Sequence, residues 1–278
     1  MKRLTDKQHW EEKGYWSSQQ GNSIKNNGEI KGPSPKALST KRYDEYLLFD
    51  VIFRKLLPLQ PDLKAVELGS APGDFLVKLR QKFGYDVYGV EYSKKGAEKN
   101  QDIFVQNDIP NTHVFNEDCL SEDFLAQHKE NFDLVISRGL IEHFTDPHPV
   151  IMSHLKILRP GGNLVVSIPN LRGIYYFWSK YMEDDFLDTH NFDIMARDPF
   201  RELFKIPELE EKFCGYYGTF VCGGRYSNKK NALVRSLVAS ANGLQFGLNP
   251  LFRGLFGSRG FETSFFSPYL MFIGTKKK

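Results

Sequence analysis

The chain has 278 residues, of which 41% are hydrophobic and 26% charged, with 23 glycines and three cysteines. That length and globular composition exclude a disulfide-stapled miniprotein, a collagen-like repeat and a wholly disordered polymer, and they suit one large α/β domain or two small ones. Cys119, Cys214 and Cys222 are odd in number and form no C-x-x-C pair, so a reducing, cytoplasmic setting is expected, with neither a disulfide framework nor a thiolate zinc site. Behind Met1-Lys2-Arg3-Leu4-Thr5 there is no apolar block, and no run of about 18 apolar residues occurs, so neither a secretion signal nor a membrane span is expected.

The net charge of +3 conceals a strong asymmetry: residues 1–42 carry nine Lys/Arg against four Asp/Glu, residues 223–278 nine against one, and the stretch between them is acidic by ten charges. Basic ends around an acidic centre hint at an anionic partner, although a run such as Lys276-Lys277-Lys278 is more commonly a solvated tail.

In chain order, residues 17–41 are rich in Ser, Asn, Gly, Lys and Pro and cannot support a packed element, so residues 1–42 read as an N-terminal arm. Trp10, Tyr15 and Trp16 read as an aromatic anchor within it. From Tyr43 the apolar residues fall at helical spacing until Pro58. Extended apolar runs then alternate with helical patterns: strands at Lys64–Leu68, Asp86–Val90, Thr112–Phe115, Phe132–Ser137 and Asn163–Ile168, helices at Phe75–Phe83, Lys94–Val105, Asp123–Lys129 and Pro147–Leu158. This rhythm predicts an α/β, doubly wound, mostly parallel sheet with helices on both faces. Asp146-Pro147 marks one helix start, and Arg159-Pro160-Gly161-Gly162 a helix stop and a turn into the next strand. Beyond Pro169 come an aromatic segment around Tyr175, Tyr176 and Trp178, a helical stretch near Phe200–Phe213, two last strands at Gly215–Cys222 and Tyr269–Thr275, and between them a basic segment with Leu233, Leu237, Ala241 and Leu244 at helical spacing.

The first strand runs straight into Gly69-Ser70-Ala71-Pro72-Gly73 and then a helix at Asp74. Glycine permits the tight turn and close ligand approach, and the new helix aims its free N–H groups at the strand end, so a nucleotide-like ligand belongs there. The glycines stand four apart and Glu67 precedes them, which disfavours NAD: a carboxylate would repel a pyrophosphate but suits a cationic amino-acid group. Glu91 ends the second strand 18 residues after Gly73, where a carboxylate accepts hydrogen bonds from both ribose hydroxyls. Asp118 follows the third strand and is placed to accept from an adenine amino group.

With Ser137-Arg138-Gly139-Leu140-Ile141-Glu142-His143 and Leu158-Arg159-Pro160-Gly161-Gly162 added, the sequence over residues 43–170 resembles the class I S-adenosylmethionine-dependent methyltransferases, most of all their small-molecule branch. The resemblance implies a Rossmann-like fold with a seven-stranded, mostly parallel sheet, an antiparallel last strand, and insertions near 170–200 and 223–262 that cover the substrate. It places S-adenosylmethionine, and its product S-adenosylhomocysteine, on Glu67, Gly69, Ala71 and Gly73, with Glu91 on the ribose and Asp118 and Cys119 beside the adenine; Ser70, Tyr92, Ser137 and Arg138 complete the expected lining. Ala71 departs from the commoner glycine.

Methyl transfer needs in-line positioning, and an acceptor that starts protonated needs a base, for which His143 and His190 are the candidates. Either could instead hold its loop in shape, just as Glu67 taken alone could cap the following helix and Asp118 be an ordinary turn acid after a strand. Tyr175, Tyr176 and Trp178 read as an acceptor-pocket wall or as core. The expected partner is a small-molecule acceptor, anionic or partly apolar, such as a sugar hydroxyl or a lipid-linked metabolite, with contact of the basic segment 229–261 with a membrane surface as a further option. No metal is expected. Two alternatives stand beside this: an RNA methyltransferase using the basic termini, disfavoured by the lack of a recognisable RNA-binding appendage, and a non-catalytic cofactor-binding subunit.

Overall fold

A computed structural model describes residues 2–12, 42–182, 187–221 and 232–278. Its centre is a seven-stranded sheet of β1 (Lys64–Leu68), β2 (Asp86–Val90), β3 (Val114–Phe115), β4 (Phe132–Arg138), β5 (Leu158–Pro169), β6 (Leu209–Tyr217) and β7 (Tyr269–Lys276), in the order β3-β2-β1-β4-β5-β7-β6. The first five strands pair in parallel, and β7 runs antiparallel between β5 and β6. Strand order reverses between β1 and β4, so a crevice opens at their carboxyl ends.

Both sheet faces are buried, which is why these strands read as continuous apolar runs. Val66, Leu68 and Val135 point into one core with Phe124, Ile151 and Phe200. Ala65, Leu134 and Ile136 point into the other with Phe49, Leu76 and Phe104. The covering helices on that second face are Asp74–Phe83, Lys94–Val105 and a helical stretch that is π-wound over Tyr46–Phe53 and ends at Arg54–Leu56. The first face is covered by Glu122–Gln127, His148–Ile157 and Arg197–Glu202.

Several expected boundaries move. Only Val114–Phe115 of the third strand is extended, because Asn111–His113 forms a 3₁₀ turn. Arg159-Pro160-Gly161-Gly162 is not a separate turn: the chain enters β5 directly from the helix, and these residues bulge where the β4 pairing skips from Phe132↔Leu158 to Leu134↔Asn163. The helix expected near Phe200–Phe213 stops at Glu202, and β6 begins at Leu209, earlier than Gly215. Glu210, Glu211 and Lys212 look helical in sequence but belong to a charged edge strand held by β7. Gly218, at φ +99°, follows the end of that strand, and Cys222 lies outside the described residues.

The insertion after β5 forms the helix Ile174–Met182 and short turns at Leu187–Thr189 and Phe192–Ile194. A second insertion forms the 25-residue helix Ala232–Phe256. Its end is fastened to the first helical stretch: Arg253 stacks 3.9 Å over the Tyr46 ring, and Tyr43 donates to the Gly257 carbonyl at 2.6 Å. The short helix Lys7–Glu12 packs near the start of Lys94–Val105, where the Glu11 carboxylate accepts from the Lys94 and Lys95 backbone N–H groups at 2.6 and 3.3 Å. Tyr15 and Trp16 lie outside the described residues.

Candidate functional site

The turn after β1 is shaped for close approach. Gly69 has φ +74° and Gly73 φ +100°, and Gly73 caps the helix Asp74–Phe83. A Cβ on Gly73 would stand 2.1 Å from Asn100 Oδ1, so no other residue fits without moving that side chain. Asn100 also donates to Ser70 Oγ at 2.6 Å, which fixes the turn from beneath.

Each acid at the strand ends has a different set of donors. Glu67 is fully buried and accepts from Arg138 Nε at 2.8 Å, an ion pair that bridges the crevice between β1 and β4. The Arg138 guanidinium also lies 3.7 Å over the Phe75 ring. Burial outweighs this partner and pushes the Glu67 carboxyl up to about 7. Glu91 accepts from the Ser93 N–H at 2.9 Å and the Ala71 N–H at 3.3 Å, which ties the end of β2 to the glycine turn. Burial again raises it to about 7, against those two donors. Asp118 accepts from the Leu120 N–H at 3.0 Å and pairs with Arg3 at 2.5 Å.

Arg3 is a residue that sequence reasoning missed. Its guanidinium lies 4.6 Å over the Tyr92 ring, so it stands between Tyr92 of the expected cofactor lining and Asp118, expected beside the adenine. The Leu4 N–H donates to the His143 carbonyl at 2.8 Å, and the Trp10 ring meets the His143 ring edge-on at 5.1 Å. The N-terminal segment thus lies along the crevice; the excess of bases in residues 1–42 facing an acidic centre was the available signal. Cys119 is buried and its thiol is pushed up to about 12, which makes it an inert wall rather than a nucleophile.

Beyond β4 the loop turns back on the crevice, and the Leu140 side chain stands 3.6 Å from where a Cβ on Gly69 would be. Glu142 and His143 are buried here, and His190 comes to them from the insertion, its ring centroid 4.6 Å from that of His143. The Asn191 N–H donates to the Glu142 carbonyl at 2.7 Å and holds the two segments together. His143 Nδ1 lies 2.8 Å from the Thr189 carbonyl. A carbonyl only accepts, so Nδ1 carries the proton and Nε2 the lone pair in the neutral ring. Burial and the neighbouring His190 lower the His143 pKa to about 3. Burial raises Glu142 to about 8, and its Oε2 has no hydrogen-bond partner among the described residues. One ligand atom from each of Glu142, His143 and His190 lies within 4.8 Å of the others, a donor set able to hold a divalent transition ion.

Of the expected pocket wall, Tyr175 is spent on structure, its hydroxyl donating to the Phe266 carbonyl at 2.9 Å and accepting from the Val221 N–H at 3.0 Å. Tyr176 is exposed, and the Trp178 side chain lies outside the described set. Two buried polar atoms at the ends of β1 and β4, Glu67 Oε2 and Ser137 Oγ, have no partner among the described residues. With the glycine cradle, they fit a ligand that brings an ammonium and hydroxyl groups to this crevice.

Comparison with known proteins gives three findings. A family model described as a methyltransferase domain matches residues 40–205. A ubiquinone biosynthesis O-methyltransferase of Proteus mirabilis is 26% identical over 107 residues, a stretch that is 38% of this chain and 42% of that protein. Among solved structures, a complex between the Haloferax volcanii Trm112 methyltransferase activator and a methyltransferase aligns over 100% of both chains at TM-score 0.56 and 14% identity. Geranyl diphosphate C-methyltransferase from Streptomyces coelicolor A3(2) aligns over 84% of this chain and 77% of that one at TM-score 0.52 and 14% identity. At such identities these two likenesses are of fold.

Proposed function

The chain belongs to the methyltransferase-domain family and has the class I S-adenosylmethionine-dependent fold, and on that premise we propose that it transfers a methyl group to a hydroxyl of a small molecule. The observation that carries the choice of a protonated oxygen acceptor is the grouping of His143, His190 and Glu142 at the loop after β4, whose Leu140 side chain lies 3.6 Å from a Cβ placed on Gly69. S-adenosylmethionine, when bound, supplies an electrophilic methyl carbon.

In this reading the cofactor lies over the Gly69–Gly73 turn, with its ammonium toward Glu67 and its ribose on Glu91. The carboxylate of Glu91 already faces two N–H donors and has lone pairs left for two hydroxyls. Tyr92 and Asp118 flank the base, and Arg3 must yield its place between them or stack on the ligand's face. The acceptor hydroxyl is held against the loop after β4, where water is excluded by Trp10 and the 187–195 insertion. Its proton passes to Nε2 of a neutral imidazole, a ring with a nitrogen within 4.8 Å of a Glu142 carboxyl oxygen. A low pKa makes His143 a weak base, and burial keeps the Glu142 carboxyl largely protonated below about 8, so in this reading the Glu142 carboxylate assists the imidazole as pH rises through 8.

A panel of hydroxylated acceptors with radiolabelled cofactor tests the proposal. Label on oxygen, lost in His143→Ala or His190→Ala with cofactor binding kept, supports it. Transfer to carbon, or unchanged turnover in both variants, would remove the proton-acceptor role.

A further inference from the structure

Exposed large apolar side chains are concentrated in one region of this molecule. Seven of the eleven among the described residues lie between Leu244 and Phe266, and two more, Tyr176 and Phe177, stand on the helix Ile174–Met182. The two stretches adjoin: the Ile174 N–H donates to the Phe265 carbonyl at 3.1 Å, and a Cβ on Gly173 would collide with the Phe265 backbone at 2.5 Å.

The helix Ala232–Phe256 turns Gln245, Asn249 and Phe252 toward the domain. Asn249 is buried, Gln245 donates to the Phe220 carbonyl at 3.4 Å, and the Phe252 ring meets Phe220 at 6.2 Å. At about 100° per residue, Leu244, Leu251 and Leu255 fall on one line along its flank, and they are 57%, 53% and 67% exposed. The outermost row is Gly243, Gly247 and Gly254, where an added Cβ would meet nothing within 4 Å. Past the helix end, rings continue the surface through Phe256–Phe261 at 5.1 Å, Phe261–Phe266 at 6.5 Å and Phe265–Phe266 at 4.9 Å.

Between Ala232 and Phe266 the sequence has a single acid, Glu262, whose carboxylate is engaged by Thr219 and by Ser267 at 2.8 Å. Arg172, Lys180 and Arg259 are exposed beside the apolar residues. We propose that this leucine- and phenylalanine-bearing surface docks on an anionic lipid bilayer. Acidic headgroups complement the bases, and the headgroup–acyl boundary receives the leucines and phenylalanines. Two copies meeting face to face would set like charges together, which disfavours a homodimer here. No helix among the described residues is long and apolar enough to cross a membrane, so the helix lies in the plane of the surface. Combined with the methyltransferase reading, on which this step alone rests, the acceptor is presented from the lipid.

Sedimentation with phosphatidylglycerol/phosphatidylcholine vesicles and with pure phosphatidylcholine vesicles tests the docking, and it needs no methyl transfer. The full chain binds the anionic vesicles, more weakly at high salt, and Leu251→Glu with Leu255→Glu lowers the bound fraction about tenfold or more with the melting temperature and cofactor affinity kept. Absence of binding to either vesicle, binding indifferent to the double substitution, or a solution dimer that the double substitution dissociates would overturn the proposal. Leu251→Ser with Leu255→Ser, which adds no charge, gives the same direction if apolar contact is the cause.

Discussion

The two sides of the crevice solve the same problem in opposite ways. Around the glycine turn, Glu67, Glu91 and Asp118 each stand beside donors: Arg138, the Ala71 and Ser93 N–H groups, and Arg3. Beyond β4, Glu142 keeps one oxygen without a partner among the described residues, and His143 is driven neutral beside a second imidazole. Glu67, Glu91, Glu142 and His143 are all buried, so among these four the difference lies in the donors. In the proposed reading the first side accepts from the cofactor's hydroxyls and ammonium, and the second accepts the acceptor's proton.

Removing a base and removing an acid should therefore have separable effects. His143→Ala or His190→Ala should lower turnover by about 10²–10⁴-fold, the usual range for a lost general base, with cofactor affinity within about threefold by calorimetry. Glu91→Ala should do the reverse at the level of binding, weakening S-adenosylmethionine by about 100-fold through two lost charge-assisted hydrogen bonds. Because Glu91 and Glu67 both sit near 7, cofactor affinity should rise from pH 6 to pH 8 as the carboxylates form, and Glu91→Gln should reduce that rise, leaving the part due to Glu67.

Gly73→Ala sharpens the geometric half of the account. The left-handed backbone and the Asn100 contact should cost about 1–3 kcal/mol, read as a fall in melting temperature together with weaker cofactor binding. Glu142 gives a pH signature instead. Its folded carboxyl sits near 8, above the ordinary 4.5, so ionising it opposes folding, and its contribution to stability falls as pH rises from about 4.5 through 8. Glu142→Gln should therefore match the wild type in melting temperature at pH 5 and exceed it at pH 9. The smallest effect is expected from Arg3→Ala, since a partly exposed ion pair is worth about 1 kcal/mol or less; cofactor affinity should change by less than about threefold.

The sheet was legible because both its faces are buried: β1, β2 and the helix Lys94–Val105 lie at the residues that apolar runs and periodicity mark. What failed was local pattern under tertiary control. Glu210-Glu211-Lys212 carries no strand signal of its own and is extended because β7 pairs with it, and Pro160-Gly161 bulges within a strand that β4 and β7 hold on either side. In the site, the acids and glycines could be placed from strand ends alone, whereas the meeting of His143 with His190 depends on an insertion whose path has no sequence period. Arg3 on Asp118 was hidden for the same reason: 115 residues separate them, and only the charge asymmetry pointed that way.

Calorimetric titration of the purified protein with S-adenosylmethionine, S-adenosylhomocysteine and NAD in parallel tests the central claim most directly. The account predicts saturable binding of the first two, abolished or greatly weakened in Glu91→Ala, and no binding of NAD. Binding of NAD, or S-adenosylmethionine binding that Glu91→Ala leaves intact, would contradict it.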